Sequence, residues 1–349
     1  PGWDDVTAVD VLGLEVGHGL IPLVDKKQGG QLMTLIKGVR KKLTQDLGFL
    51  IPTVHIRDNP DLSPNAYRIT LMGVTLGEAQ IHPGRELAIN PGQVSGTITG
   101  IESKDPAFEL GVLWIEASQR EQAQSLGYTV VDASTVVATH LRNILQEHAN
   151  DLLGREEVQH LLDKLGRTVP KLVKELVPGA LPLGTVVRVL QNLLEEKVSI
   201  KNIRTITETL ADNAPKSQNP DALTEAVRVA LGRSIVQKIN GLEMELPIMT
   251  LDPSLEQILQ QSVQGGSYEF TGIEPGLAER LLEALQEQTQ RQEISGQAAI
   301  LIVSAQLRLF MSRFVRHAIP GLNVLAFNEI PDNKQIKIVA NIDSNTVAA

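Results

Sequence analysis

Residues 9–59 read VDVLGLEVGHGLIPLVDKKQGGQLMTLIKGVRKKLTQDLGFLIPTVHIRDN, and this stretch decides the fold at the start of the chain. Residues 9–16 have the composition of a strand. Six apolar residues then recur at helical spacing on one face: Leu32, Leu35, Ile36, Val39, Leu43 and Leu47. Gly48 follows them, where a left-handed residue commonly ends a helix. The order predicts an α/β unit, and the lack of a recognisable catalytic motif favours a scaffold over an enzyme.

Two further runs rich in β-forming residues follow at 49–56 and 67–74. The cluster RDNPDLSPN lies between them and is turn-forming, with two prolines. We expect both runs to extend the sheet of the first unit.

The composition changes at residue 84, where glycine and proline become frequent through NPGQVSGTITG and KDPAFELG. Strand candidates at 112–115 and 129–131 and a short helix at 119–126 predict a small inserted unit. The next helix begins with Asp132 or Ser134 as its N-cap, since either side chain can accept bonds from free amides. Its apolar stripe consists of Val137, Leu141, Ile144 and Leu152. His148 lies at the same angle, and we interpret it as a core or interface residue rather than a ligand.

Residues 154–240 are rich in helical patterns and poor in strands. Within them, Asn219 and Pro220 together predict a helix start, because an N-cap residue is followed by proline at the first helical position. Strand candidates return at 242–251, 298–303, 324–327 and 336–342, around helices at 277–294 and 307–317. The last unit is therefore predicted to be α/β and to end in a hairpin at 331–333.

Composition limits the function classes. Of 349 residues 42% are hydrophobic and only 3% aromatic, which predicts aliphatic cores. The net charge of −9 argues against a nucleic-acid binder, whose affinity would rest on clustered lysine and arginine. The absence of cysteine excludes disulfides and thiolate chemistry and fits a reducing compartment such as the cytoplasm. No stretch approaches the roughly 20 apolar residues of a membrane helix, so the chain as given is expected to be soluble.

The sequence contains none of the common catalytic, nucleotide-binding or metal-binding motifs. It contains no HExxH, GxSxG or GxxxxGK[ST], and its seven histidines form no i,i+4 pair that could hold a metal. The cluster His55, Arg57, Asp58 and Asn59 offers a base, a cation and a carboxylate. It ends a strand and enters a proline-rich turn, where such side chains usually satisfy backbone amides, so the structural interpretation is favoured over a catalytic one. We expect no enzyme activity, no cofactor and no metal.

Phe108 is a scarce aromatic residue in the proline-containing loop KDPAF rather than at a periodic core position. It either fills its own core or forms a recognition dimple, an apolar floor with a carboxylate rim that suits an amphipathic segment. Thr139 lies off the buried stripe of its helix, which weakly supports the dimple. Lys37, Arg40, Lys41 and Lys42 form either a solvated face or a docking region for an acidic partner.

The motifs LGLEVG, VRKK, RDNPDLSP, AINPG, DPAF and TVVATH resemble the export-gate family of type III secretion, the FHIPEP or FlhA–InvA family. The resemblance continues to about Asn341 and so covers nearly the whole chain. HIRDN together with TVVATH looks flagellar rather than virulence-type. The resemblance implies a multidomain chain that combines α/β and all-α parts. Its subdomains would be a linker remnant at 1–8, a first α/β subdomain at 9–83 and 133–152, an inserted subdomain at 84–132, a helical subdomain at 153–240 and a C-terminal α/β subdomain at 241–345.

The resemblance also assigns residues to a dimple that receives export chaperones with their substrates. Matching the motifs places eight residues at or near it: Asp105, Phe108, Thr139, Ile89, Pro91, Leu62, Pro64 and Arg40. Gly17 matches a glycine implicated in domain motion rather than contact. The sequence resembles the family less closely after Asn240, and no site is assigned there.

The function that the resemblance implies is a docking platform without enzymatic activity. Its partners would be flagellar export chaperones carrying substrates, components of the export ATPase complex, and further copies of itself in a nonameric ring. It would lie at the cytoplasmic face of the bacterial inner membrane, joined to the membrane only through a preceding part of a longer protein. The alternatives are a virulence-type export gate, a general peptide-binding adaptor, or an enzyme that uses the cluster at His55.

Overall fold

The computed structural model describes residues 1–264 and 273–343 and divides the chain into two compact units, Pro1–Ile203 and Arg204–Ala349. The described part mixes helices with three four-stranded sheets, which confirms the predicted combination of α/β and helical parts.

The first unit contains eight strands and eight helices. The strands are β1 Leu12–Val16, β2 Val54–Asp58, β3 Ala66–Leu71, β4 Val74–Gln80, β5 Arg85–Ile89, β6 Ile101–Lys104, β7 Gly111–Glu116 and β8 Thr129–Asp132. The helices are α1 Ile21–Val24, α2 Leu32–Leu47, α3 Arg120–Ser125, α4 Ala133–Glu147, α5 Ala149–Leu152, α6 Arg155–Gly166, α7 Pro170–Lys174 and α8 Leu183–Glu195. Short 3₁₀ helices lie at Trp3–Asp5, His18–Leu20, Lys26–Gln28 and Ala117–Gln119, and a π-helical segment at Glu175–Ala180 follows α7.

The first sheet has the strand order β2-β1-β3-β4. Strands β1 and β2 are parallel and joined through α2, whereas β3 is antiparallel to both β1 and β4. Helix α2 ends at Gly48 in the left-handed conformation (φ 95°), and the Gly48 amide donates to the Thr44 carbonyl. The predicted helix, its glycine stop and the single sheet are therefore confirmed.

The second sheet has the order β6-β7-β5-β8 and is antiparallel throughout. All four of its strands lie within residues 85–132. Its small core is aliphatic apart from Tyr128, as the composition predicts: Ala88, Ile98, Ile115, Ala123, Tyr128 and Val130.

Helices α5 to α8 complete the first unit, and the segment after α8 binds the end of α2. Ser199 Oγ donates to the Asp46 carbonyl (2.6 Å), and the Ile200 amide donates to the Leu47 carbonyl (2.9 Å). These bonds satisfy two of the carbonyl groups that a helix leaves free at its C-terminus.

The second unit begins with helices and ends with a sheet. Its helices are α9 Ile203–Asn213, α10 Pro220–Ala230, α11 Gly232–Asn240, α12 Pro253–Gln264, α13 Pro275–Ile294 and α14 Ala305–Val315. Its strands are β9 Glu245–Leu251, β10 Ala299–Val303, β11 Leu322–Ala326 and β12 Gln335–Ile342, with a 3₁₀ helix at Phe327–Glu329. Helix α10 begins as predicted, because Asn219 Oδ1 accepts from the amides of Asp221 and Ala222.

The third sheet is parallel, with the order β11-β10-β9-β12. Strand β10 is buried along its whole length. The predicted hairpin at 331–333 is wrong. A turn does form there, since the Lys334 amide donates to the Pro331 carbonyl (3.2 Å), but it leads from β11 at one edge of the sheet to β12 at the other. Turn residues show that the chain reverses and do not identify the strand with which it then pairs.

The subdomain boundaries remain predictions. The division between the compact units at 203 and 204 falls inside the predicted helical subdomain at 153–240. The predicted end of the last subdomain, residue 345, lies outside the described residues.

Candidate functional site

One end of the second sheet collects several of the predicted site residues. Lys104 lies opposite Gly111, so the turn between β6 and β7 is at this end, and Ile89 lies opposite Val112 on the neighbouring strand. Pro91 follows β5 two residues later. Residues 105–110, which we call the hairpin loop, therefore lie at the same end of the sheet as half-buried Ile89 and exposed Pro91.

The hairpin loop is closed by its own hydrogen bonds. The Asp105 amide donates to the Leu110 carbonyl (2.8 Å), and the Glu109 amide donates to the Asp105 carbonyl (2.7 Å). The Asp105 carboxylate accepts from the Ala107 amide at 3.3 Å. Glu109 has a positive φ of 56°, an uncommon conformation for a residue with a side chain. The loop is a defined turn whose carboxylate satisfies the backbone.

Exposure within the loop differs from the expected dimple. Phe108 is 58% exposed, and Leu110, two residues later in the loop, is exposed as well. Asp105 is only 5% exposed. Phe108 does not fill a core, so that alternative is wrong, and the carboxylate lies inside while the aromatic ring lies outside. An apolar surface held on a fixed loop is the type of feature that a protein partner covers.

A buried polar pair lies close to this carboxylate. The hydroxyl of Tyr67 on β3 forms a hydrogen bond with Nδ1 of His140 on α4 (2.7 Å), and the hydroxyl is the donor when the neutral imidazole carries its proton on Nε2. Burial, and secondarily the negative charge of Asp105, raise the pKa of Tyr67, so its hydroxyl remains a donor. Burial lowers the pKa of His140, and Asp105 opposes that shift, so the imidazole is neutral near pH 7. Asp105 is thus within electrostatic reach of both side chains.

Helix α4 brings Thr139 towards the hairpin loop. Asp132 is its N-cap and accepts from the Thr135 amide (2.8 Å), which decides between the two predicted caps. Asn143 Nδ2 donates to the Ala107 carbonyl (3.3 Å). Half-buried Thr139 is four residues before Asn143 and therefore lies on the same helix face. The structure places the loop beside the helix face that carries Thr139.

Gly17 contacts the loop that contains Leu62 and Pro64. The Gly17 amide donates to the Ala66 carbonyl (2.8 Å). A Cβ at Gly17 would lie 2.1 Å from the Ser63 carbonyl oxygen and 2.6 Å from that of Pro64. Leu62 is buried and Pro64 exposed. Glycine is required here by the close approach of two backbones, which is a more specific reason than a general hinge.

Arg40 has a different environment from the other predicted residues. Its guanidinium donates to the carbonyls of Ile51 and Pro52, both at 2.9 Å. In residues 1–264 and 273–343 no hydrogen bond or ion pair joins it to the hairpin loop. The neighbouring Lys42 pairs with Asp46 (3.1 Å). The contacts of Arg40 hold the segment after α2, and the assignment of Arg40 to the dimple remains a prediction.

The cluster that could have suggested catalysis makes structural contacts. Arg57 forms a two-point ion pair with Asp10 (2.7 and 3.1 Å), and this hydrogen bond lowers the pKa of Asp10. Asn59 donates to Glu15 and accepts from the Asp61 amide, which confirms the expected turn role of Asn59. Nothing in these contacts assembles a nucleophile with a base.

Neither a metal-binding cluster nor a membrane-spanning helix is found among the described residues. In 1–264 and 273–343 no group of three or more histidine or acidic side chains is arranged to hold a metal ion. Within the same ranges, no helix has the length and hydropathy needed to span a bilayer.

Sequence reasoning missed Tyr67, His140 and Asn143. A signal for His140 was present, because it lies three residues after Val137 and four before Ile144, on the predicted stripe. His148 was singled out instead, and the structure places it half-buried at a helix end, 3.1 Å from an Asp151 oxygen. For Tyr67 and Asn143 the sequence carries no comparable signal, since their partners are distant in the chain.

Comparison with known proteins gives the family. The sequence profile of the FHIPEP family matches residues 2–335, which is nearly the whole chain. The chain belongs to the FHIPEP family. The expectation from the motifs is therefore confirmed at the level of the family.

Curated relatives in this family carry flagellar names. The chain is 51% identical over 340 residues to the flagellar biosynthesis protein FlhA of Escherichia coli K12 and 50% identical to that of Yersinia enterocolitica. Each alignment covers 97% of this chain and 49% of the relative. The chain thus spans about half the length of the curated relatives that it matches.

Solved structures show the same fold. The CdsV protein of Chlamydia pneumoniae superimposes with a TM-score of 0.84 at 24% identity, covering 97% of this chain and 99% of that one. The nonameric SctV-C of EPEC, solved by cryo-EM, gives a TM-score of 0.75 at 20% identity, with coverages of 97% and 99%. At these identities the similarity establishes the fold alone.

Proposed function

We propose that this chain is the cytoplasmic docking platform of the flagellar type III protein export apparatus. It binds export chaperones that carry their substrates and passes the substrates to the membrane gate. The observation that carries the proposal is the exposed Phe108 ring on a hydrogen-bonded loop. Membership of the FHIPEP family supports it, and so do the flagellar names of relatives with identities near 50%.

The recognition surface on this proposal is apolar and centred on Phe108, with Leu110 beside it in the hairpin loop. Such surfaces obtain most of their binding energy from a few buried anchors, often aromatic. Asp105 is buried and does not form part of this surface. Its carboxylate stabilises the turn that holds the Phe108 ring at the surface. A chaperone with an amphipathic segment would cover the ring and remove it from water.

The remaining parts of the proposal concern assembly and location. Nine copies form a ring at the cytoplasmic face of the bacterial inner membrane, and components of the export ATPase complex dock on it. The nonameric SctV-C structure and the complex of CdsV with CdsO, each containing a protein of similar fold, support assembly and partner binding. Weak contacts between copies suffice if the rest of the protein holds them close, since local concentration then replaces affinity. The chemistry of transport lies outside this chain, which we propose to be non-enzymatic.

Calorimetric titration tests the docking role. The domain is titrated with a flagellar export chaperone, free and loaded with its substrate, and the titrations are repeated with Phe108→Ala. An anchor of this type contributes about 2 kcal/mol or more, so the variant should bind at least roughly 30-fold more weakly. Its fold should be unchanged, because the ring is largely exposed in the free chain.

Phe327→Ala is the matched control, since Phe327 is 53% exposed and lies in the second unit. It should bind as the wild type does. Equal losses in both variants would refute a specific surface at the hairpin loop. Binding of short extended peptides as tightly as of the loaded chaperone would favour the general adaptor instead.

A further inference from the structure

The Tyr67–His140 bond is a buried polar contact between two elements of the first unit. The residues are 73 positions apart in the chain, and their rings meet edge to face at 5.7 Å. Both side chains are buried. A buried donor or acceptor that loses its partner is left without a hydrogen bond and cannot recover one from water, so the pair is strongly constrained.

The space around His140 is closed on the side of β4. A Cβ at Gly77 would lie 2.8 Å from both Cε1 and Nε2 of the imidazole and 2.6 Å from Cδ1 of Ile144. Glycine at this position lets the ring lie against the strand backbone. The imidazole therefore has little freedom to rotate away from Tyr67.

The hairpin loop is linked to this pair in two ways, through the charge of Asp105 and through a hydrogen bond to α4. Asp105 acts electrostatically on Tyr67 and on His140, and is itself nearly completely buried. Asn143, one turn after His140 on α4, donates to the Ala107 carbonyl. The loop that presents Phe108 is thus bound by α4, and Tyr67 of the first sheet binds the same helix through His140.

We propose that Tyr67, His140 and Asn143 are positioning residues for the hairpin loop, and that protonation of His140 releases the loop and weakens partner binding. This inference rests on the proposed function. Tyr67 can donate to Nδ1 only while the imidazole is neutral there. Once Nδ1 is protonated, it donates to the Tyr67 oxygen instead, the hydroxyl hydrogen of Tyr67 is left without an acceptor in a buried position, and the new imidazolium attracts the Asp105 carboxylate away from the Ala107 amide that it caps.

The direction of the pH effect follows from the charges around the imidazole. The titratable groups that act on His140 are Tyr67 on β3 and Asp105 on the hairpin loop, while β4 contributes the uncharged Gly77. Burial lowers the pKa of His140 below 6.5 despite the opposing effect of Asp105. His140 is therefore protonated at a lower pH in the folded protein than in the unfolded chain. The stabilisation from neutral His140 is complete above pH 6.5 and is lost progressively as the pH falls below it.

Hydrogen exchange of the loop amides tests the positioning without any partner. Tyr67→Phe keeps the ring and removes the donor, and should speed exchange of the Ala107 and Glu109 amides about 5-fold, as expected for one lost hydrogen bond. Tyr128→Phe is the matched control. It removes a hydroxyl that donates to the Gly96 carbonyl (3.3 Å) in the same sheet region, and should leave the loop amides unchanged.

The pH profile of binding tests the role of the histidine. Binding of the loaded chaperone should be constant above pH 6.5 in the wild type and should weaken as the pH falls below it, because the pKa of His140 is lowered. His140→Asn retains an acceptor for Tyr67 and does not titrate, so it should bind as the wild type does at pH 7 and lose most of the pH dependence. Tyr67→Phe should bind more weakly at every pH.

The outcomes separate this inference from the proposed function. Loop exchange that is unchanged in Tyr67→Phe would overturn the positioning role, even if Phe108→Ala abolishes binding. A pH profile of His140→Asn parallel to that of the wild type would overturn the role of protonation. If the wild-type domain binds no chaperone, the proposed function fails, and the exchange rates alone decide whether these residues position the loop.

Discussion

The second unit offers a sharp test of the electrostatic reasoning, at a buried ion pair between α10 and the 3₁₀ helix after β11. Arg228 Nε donates to Glu329 Oε2 (2.7 Å) and Nη2 to Oε1 (3.3 Å), and the side chains are only 3% and 1% exposed. Glu329 also accepts from the Ala326 amide (2.8 Å) and lies 4.0 Å from Nε of Arg308. One carboxylate therefore balances two buried cations and caps a turn.

Glu329→Gln keeps the shape and an acceptor but removes the charge. Breaking a buried pair from one side costs about 3–5 kcal/mol, because the remaining charge stays in a poorly solvated site. Arg308 retains Glu225 at 2.6 Å, so most of the cost arises at Arg228. The exposed pair Arg204–Glu208 is the matched control, at 65% and 50% exposure. Glu208→Gln should cost only about 0.2–1 kcal/mol.

Hydrogen exchange of the β10 amides is the suitable assay, since β10 is buried along its length in the same unit. Tryptophan fluorescence would not report on this unit, because the two tryptophans, Trp3 and Trp114, lie in the first one. A loss of about 4 kcal/mol should speed the slowest amides on the order of 10³-fold. If Glu329→Gln speeds exchange no more than Glu208→Gln does, the buried pair is not the constraint described above.

Further predictions concern local backbone features. Gly17→Ala should destabilise the first unit by about 1–3 kcal/mol and displace residues 63–64, because its Cβ would meet backbone oxygens; thermal unfolding and partner binding measure both effects. Gly38→Ala is its control, since a Cβ there meets nothing within 4 Å and alanine should stabilise α2 by about 0.8–1 kcal/mol. Asp132→Ala should cost about 1 kcal/mol through loss of the cap on the Thr135 amide, measured by chemical denaturation, and no loss would contradict the assigned cap.

The sequence was most informative where local signals and burial agree. Helix α2 has an apolar stripe of 3.6-residue period and a glycine stop, and both its type and its end follow from residues within the helix. Helix α10 has its cap and proline in adjacent positions. Such elements need no information from elsewhere in the chain.

Strand pairing required information that the sequence pattern lacks. The alternation in β12 predicted a strand, and the turn at 331–333 suggested a neighbouring partner. The strand instead pairs in parallel with β9, about 90 residues earlier in the chain. Which strand is adjacent depends on how the helices cover the sheet, and that is decided by packing over the whole unit.

The site shows the same limit at the level of single side chains. The motif DPAF identified the loop, and its scarce aromatic residue identified the exposed anchor. The electrostatic effect of Asp105 on Tyr67 and His140 could not be inferred, because these residues are far from it in the chain. Similarly, the sequence predicts that Arg40 is a solvent-exposed cation in a basic run. In the structure its guanidinium donates to the carbonyls of Ile51 and Pro52, which follow α2.

These contacts explain why a carboxylate and an aromatic residue three positions apart can serve one surface in different ways. Phe108 contacts the partner directly on the proposed function, so its removal should change affinity and leave the fold intact. Asp105 holds the turn, so Asp105→Ala should change the loop before it changes any contact. Asp105→Asn keeps an acceptor for the Ala107 amide and should retain much of the binding that alanine loses. If asparagine and alanine at this position impair binding equally while loop exchange stays normal, the charge of Asp105 acts on the partner itself.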